Sequence, residues 1–157
     1  MFRIGFSEDI HKKETGRKLF LAGIEFPGEI GLKGHSDADV VCHAVAESIL
    51  GALALGDLGS HFPDNDPQYK GISSLILVDK VVDLMMKDGF RVSNIDVQIA
   101  CKSPKLSDKI FEMRKCLASH LKTATSNVSI KACSYNEVGP IGNGEAIKAS
   151  SYVLLEK

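Results

Sequence analysis

The chain has 157 residues, enough for one domain (1–157) that buries about two-thirds of its unfolded surface. Apolar residues make up 44% and charged residues 25%, the values of an ordinary soluble protein, and a net charge of −1 leaves no electrostatic footprint for nucleic acid or an anionic membrane. No apolar run reaches the roughly 18 residues a membrane helix needs, and the start MFRIGFSEDIH lacks a signal peptide's basic-then-apolar plan, so a cytoplasmic location is expected. The four cysteines form no CxxC pair and read as reduced thiols.

In chain order, Phe2 to Ser7 reads as a short strand, HKKETGRK as a charged turn and LFLAGIEF as a second strand candidate. PGEIGLKG is a Gly-rich loop. Ser36 can cap a helix from about Asp37 to Leu55, with Asp37 and Asp39 near its positive end and Gly56 stopping it. GDLGSHFPDNDPQYKG is a long polar loop, of the kind that is functional or disordered. Leu77, Val81, Leu84 and Met85 form the inward stripe of a helix from about Ser74 to Lys87. A strand from about Ser93 runs to Cys101. Ser107 can cap a third helix to about Leu121, Val128 to Ser134 is a strand, and Ala146 to Leu155 is the last strand. This order predicts an α/β (α+β) sandwich: a mixed β-sheet with helices on one face. The other face must be covered. Ile99, Ile130 and Val153 read as too apolar for water there, so an oligomer is expected.

Several constellations carry chemistry. Asp9 and His11, two apart on a strand, share a face, and His43 lies on the first helix, one turn after Asp39. One Asp and two His form a zinc set with an open fourth position, although the spacing alone leaves an ordinary ion pair as the alternative. His35, before the helix, sits where a phosphate could meet the N-terminal amides. Asp57, Asp64 and Asp66 read as turn residues, or as groups orienting a hydroxyl or cation. ACKSPKL places Lys102 and Lys105 around Pro104, a loop able to read a base edge and meet a phosphate. Ser134 and the glycine loop through Gly144 could add phosphate-binding N–H groups. P-loop, Rossmann and zinc-deaminase patterns are absent.

DIH, HSDADVVCHA, ALGDLGSHFPDNDP, IACKSPKL and the GxxGxGE tail, spread from Arg3 to Leu155, together resemble the 2-C-methyl-D-erythritol 2,4-cyclodiphosphate synthase family. The resemblance implies a lyase of the non-mevalonate isoprenoid pathway. Its substrate is 4-diphosphocytidyl-2-C-methyl-D-erythritol 2-phosphate, whose 2-phosphate attacks its own β-phosphorus and expels CMP. It implies Zn2+ (or another divalent transition metal) on Asp9, His11 and His43, Mg2+ or Mn2+ with the diphosphate, and a homotrimer, sheets around its axis, with active sites between subunits. His35 and Ser134 would stabilise the transition state, and Ser36 would bind phosphate. Asp57 and Gly59 would hold the methylerythritol part, with Phe62, Pro63, Asp64, Asn65 and Asp66 along the same pocket. Ala100, Cys101, Lys102, Ser103, Pro104, Lys105 and Leu106 would take the cytosine, with Cys133, Tyr135 and Asn136 beside the substrate. Glu47 would face the ribose, and Asp39 would orient a ligand or the helix.

The chain departs from the family pattern in places. Ser7 replaces a glycine, which predicts a shifted loop. Asn136 stands where the family has a metal-holding glutamate and Glu137 follows it; on an extended segment that shift turns the carboxylate to the other face. Pro140 and Asn143 stand where the family often has a phenylalanine and an arginine lining a cavity on the trimer axis, so the resemblance does not carry that cavity's anion site over to this chain. Two other readings remain at this stage: a zinc phosphohydrolase acting on a nucleotide diphosphate, and a non-catalytic trimer binding nucleotide or isoprenoid.

Overall fold

The computed structural model describes all 157 residues. Its strands are β1 (Phe2–Lys12), β2 (Leu19–Leu21), β3 (Ile24–Phe26), β4 (Arg91–Ala100), β5 (Val128–Cys133) and β6 (Ala146–Glu156). Its helices are α1 (Val40–Ala52), α2 (Leu58–His61), α3 (Ser74–Lys87), α4 (Ile110–His120) and α5 (Gly139–Gly142). The main sheet runs β1-β6-β4-β5, and β2 and β3 form a separate hairpin. β6 is antiparallel to both neighbours, whereas β4 and β5 are parallel, a pairing that needs the crossover α4 supplies. The sheet is therefore mixed, with the helices on one face, as the sequence predicts.

Alternation along the strands sorts the two faces. Ile95, Val97 and Ile99 of β4 and Ile147, Ala149, Val153 and Leu155 of β6 are buried under the helices. α1 is apolar nearly all round because it lies between the sheet and α3. Gly5 allows that contact: a Cβ there would stand 1.9 Å from the Ser48 carbonyl oxygen. The open-face argument changes accordingly. Ile99, Ile130 and Val153 point into the helix layer. The apolar side chains left outside are Phe2, Ile4, Phe6 and Ile10 of β1 and Tyr152 of β6, all at least half exposed. The Phe6 and Tyr152 rings pack at 4.6 Å, and a Glu8–Lys148 ion pair at 2.6 Å interrupts the strip.

Several boundaries move for physical reasons. β1 runs on to Lys12, since its polar second half still pairs with β6 through His11↔Ile147 and Lys12↔Ala146. α1 starts at Val40, capped by Asp39 rather than Ser36. The Asp39 carboxylate is wholly buried and accepts four N–H groups, from Val41 and Cys42 at 3.1 Å, Ala22 at 3.0 Å and Gly23 at 2.7 Å. It thus ties the helix to the β2–β3 turn, where Ala22 and Gly23 both have positive φ. α4 starts at Ile110 because the Ser107 hydroxyl bonds Asp108 instead of capping. The polar loop contains α2, capped by Asp57, and a 3-10 turn at Pro67–Tyr69, capped by Asp66. The glycine loop contains a 3-10 turn at Tyr135–Glu137 and then α5.

Candidate active site

β1 presents Asp9 and His11 on its helix-covered side, and α1 brings His43 to them. Their donor atoms all lie within 4.8 Å of one another. Asp9 Oδ2 is 2.8 Å from His11 Nε2 and 3.1 Å from His43 Nδ1, and those two nitrogens are 3.3 Å apart. His11 Nδ1 lies 2.5 Å from the Lys33 carbonyl, so it donates there and turns Nε2 toward Asp9. Gly34 makes room for that ring: a Cβ would stand 3.2 Å from His11 Cε1 and 2.8 Å from the Ala38 Cβ. Burial disfavours charge on both partners, but their mutual hydrogen bond and attraction outweigh it. Asp9 is held well below the usual carboxylate range, and His11 is raised above 6.5. One carboxylate and two imidazoles aimed at a common point fit a divalent metal, with a fourth position left for a ligand.

A cavity of about 350 Å³ opens over the triad, with His35, Ser36, Gly59, Phe62 and Asp64 among its walls. The His35 loop is held by its backbone. Arg17 donates to the Gly34 and Ser36 carbonyls at 2.5 and 2.6 Å, and the His35 carbonyl accepts the Gly71 N–H at 2.8 Å. Because Asp39 occupies the amides of Val41 and Cys42, the helix start is not the anion seat the sequence suggested. What faces the cavity is the His35 side chain. The Ser36 hydroxyl is engaged with the Ala38 N–H and with His43.

A second cavity, of about 760 Å³, lies outside the carboxyl ends of β4 and β5. Parallel pairing with Ala100 opposite Cys133 brings those ends together. Its walls include Cys101, Lys102, Pro104, Lys105 and Leu106 from one side and Cys133, Ser134, Tyr135 and Asn136 from the other. Tyr135, Asn136 and Glu137 have φ of 60°, 49° and 64°, each costing about 1 kcal/mol or more, and the Ser134 hydroxyl pins the turn by accepting the Asn136 N–H at 3.2 Å. Asn136 and Glu137 both line a smaller adjoining cavity with Lys102. The segment is a turn rather than extended, so the one-residue shift does not send Glu137 to the far face.

A sequence model of the YgbB family matches residues 2–156. The chain belongs to the YgbB family. It is 53% identical over 155 residues to the 2-C-methyl-D-erythritol 2,4-cyclodiphosphate synthase of Brachyspira hyodysenteriae, covering 99% of this chain and 98% of that one. It is 46% identical to the synthase of the same name from Geobacter sulfurreducens, covering 99% of each. Among solved structures it superposes on the bifunctional IspDF of Campylobacter jejuni with a TM-score of 0.94 at 35% identity, over 99% of this chain and 42% of that one. A CDP complex of IspF from Plasmodium falciparum gives 0.86 at 30% identity, over 98% and 95% of the two chains.

Within this YgbB chain the predicted residues divide. Asp9, His11, His35, Ser36, His43, Glu47, Gly59, Phe62 and Asp64 line the first cavity, whereas Pro63 and Asn65 do not. Asp57 and Asp66 cap local turns, accepting from Ser60 and Gln68, Asp57 through Oδ1 alone. Ala100 is buried against Ile141 and Ala146, and Ser103 is held by Lys13 Nζ. Glu47 is braced in the cavity wall: one oxygen accepts the Ser7 hydroxyl at 2.6 Å, the other the Leu58 N–H at 3.2 Å. That bond explains Ser7, which sits in regular strand and shifts no loop. Asp39 acts on the helix, not on a ligand ring. Tyr69, Leu77, Gln98 and Ser107 also line the cavities and were not foreseen. Leu77 belongs to the core as well as to the cavity wall, and only Tyr69, an aromatic in a polar loop, carries a signal in the sequence.

Proposed function

We propose that the chain closes 4-diphosphocytidyl-2-C-methyl-D-erythritol 2-phosphate into 2-C-methyl-D-erythritol 2,4-cyclodiphosphate, a step of isoprenoid synthesis by the non-mevalonate route. The observation that carries this reading is the convergence of Asp9, His11 and His43 at the floor of a cavity, in a chain 53% identical to a named synthase. The 2-phosphate oxygen forms the new bond to the β-phosphorus. The bond from that phosphorus to the bridging oxygen breaks, and CMP leaves with the electron pair. No protein nucleophile and no water take part, which makes the reaction that of a phosphorus–oxygen lyase. The protein's contribution is positioning and charge.

Asp9, His11 and His43 would hold Zn2+ or another divalent transition metal, which supplies a Lewis acid toward the β-phosphate. His35, fixed by its tethered backbone, places a donor at the phosphates, and the Ser134 hydroxyl does so from the second cavity. Lys102 and Lys105 meet phosphate charge there, and the Cys101–Leu106 loop takes the cytosine. Mg2+ or Mn2+ would accompany the diphosphate near Asn136 and Glu137. The two main cavities have no lining residue in common. A homotrimer that sets one protomer's base cavity against its neighbour's metal cavity would complete the site, and the exposed Phe2, Ile4, Phe6 and Ile10 strip gives it apolar surface to bury. The reading places a single-domain enzyme in the cytoplasm. The test is CMP release from the authentic substrate by metal-stripped protein, with Zn2+ and Mg2+ restored separately. Turnover should need both, and His43→Ala should lose bound zinc and CMP release together. A His43→Ala variant that retains both overturns the assignment.

A further inference from the structure

His43 is the member of the triad carried by a helix, and both its ring nitrogens are engaged. Nδ1 faces Asp9 and His11, while Nε2 lies 3.0 Å from the Ser36 Oγ and 3.0 Å from the Ser74 Oγ. Ser74 is wholly buried at the start of α3, and its hydroxyl bonds Asp37 Oδ1. Asp37 is fixed in turn, its Oδ1 accepting the Asp39 N–H and its Oδ2 the Ser74 N–H, both at 3.1 Å. An ionised carboxylate has no proton to give, so the direction of the Ser74–Asp37 bond follows. Ser74 O–H donates to Asp37, so toward His43 the Ser74 oxygen can only accept, which favours Nε2–H, while Asp9 Oδ2 at 3.1 Å from Nδ1 draws the ring proton the other way. With a metal on Nδ1 the ring proton must sit on Nε2, where the Ser74 oxygen is placed to accept it.

We propose that Asp37 and Ser74 are positioning residues for His43: their hydroxyl-relayed carboxylate holds the ring in place and favours the Nε2–H form that frees Nδ1 for the metal. This rests on reading Asp9, His11 and His43 as the metal site. It also links two helices to one ligand, since Ser74 begins α3 and His43 lies on α1. Groups that orient a ligating histidine in this way are worth about 10–100-fold in metal affinity.

The test uses the full chain and two variants. Ser74→Ala removes the relay but leaves Asp37 bonded to Asp39. Asp37→Asn supplies an N–H that can turn the Ser74 proton toward His43 and favour the wrong tautomer. Zn2+ affinity is read by chelator competition, the His43 tautomer by 15N NMR of the metal-free protein, and folding by its melting temperature. Both variants should bind Zn2+ at least about 10-fold more weakly, gain the Nδ1–H form of His43, and still melt cooperatively. Wild-type affinity in both variants overturns the proposal, as does weaker binding with the His43 tautomer unchanged. A wild-type chain that takes no Zn2+ on Asp9, His11 and His43 overturns the metal reading itself, which separates the two failures.

Discussion

Replacing Gly5 by alanine tests whether the packing of β1 on α1 sets the geometry of the metal ligands. A Cβ at Gly5 would stand 1.9 Å from the Ser48 carbonyl oxygen and 2.9 Å from both the Ala52 Cβ and its nitrogen. Two of these three atoms are backbone, so no side chain can swing clear. The helix must recede or tilt by about 1 Å, an overpacking that costs roughly 1–3 kcal/mol. For a domain of this size that is a drop of about 2–12 °C in melting temperature. The functional effect follows from the same displacement. Asp9 and His11 ride on β1 and His43 on α1, whereas metal–ligand distances tolerate about 0.2 Å. Gly5→Ala should therefore also weaken Zn2+ binding by about 10-fold or more. Thermal melts of the metal-free protein at fixed concentration and chelator competition measure the two effects. A melting temperature within about 1 °C of wild type, with Zn2+ affinity unchanged, would refute the reasoning.

Three further outcomes are expected. Asp39→Ala removes a helix cap worth about 1–2 kcal/mol and strands the N–H groups of Ala22 and Gly23 at about 1–3 kcal/mol each, so denaturant unfolding should register a loss of about 3 kcal/mol or more. Zn2+ affinity should fall with acid. His11 is raised above 6.5 because its bond to Asp9 outweighs burial, so the proton competes with metal as pH drops through that raised value, and binding measured against pH should begin to weaken above 6.5. Asn136→Glu should lower the Mg2+ concentration needed for half-maximal turnover; an unchanged Mg2+ dependence would remove Asn136 from the account of the second metal.

The parts of this fold that depend on local pattern were legible in the chain. Helix α3 falls where Leu77, Val81 and Met85 recur at helical spacing, and Asp9 and His11 were placed on one strand face by their separation alone. What depended on distant partners was not. Ser36 looked like a cap because serine caps helices, but Asp39 outcompetes it: its carboxylate also gathers the N–H groups of Ala22 and Gly23, a contact no local reading contains. Asp57 and Asp66 have two readings in the sequence, and the fold adds the turn bonds to Ser60 and Gln68. The apolar side chains of the open face are Phe2, Ile4, Phe6 and Ile10 rather than Ile99, Ile130 and Val153, since an apolar strand reads alike whether helices cover it or leave it open. Ser7 looked like a defect in a glycine motif until the Glu47 carboxylate was seen across from it.

The central claim is that the attacking oxygen belongs to the substrate and not to water. Turnover in 18O-labelled water, with mass analysis of the nucleotide and the diphosphate product, tests it most directly. The account predicts CMP and a cyclic diphosphate that both carry no label. Label in either product would mean hydrolysis at the metal site, and would contradict the cyclisation.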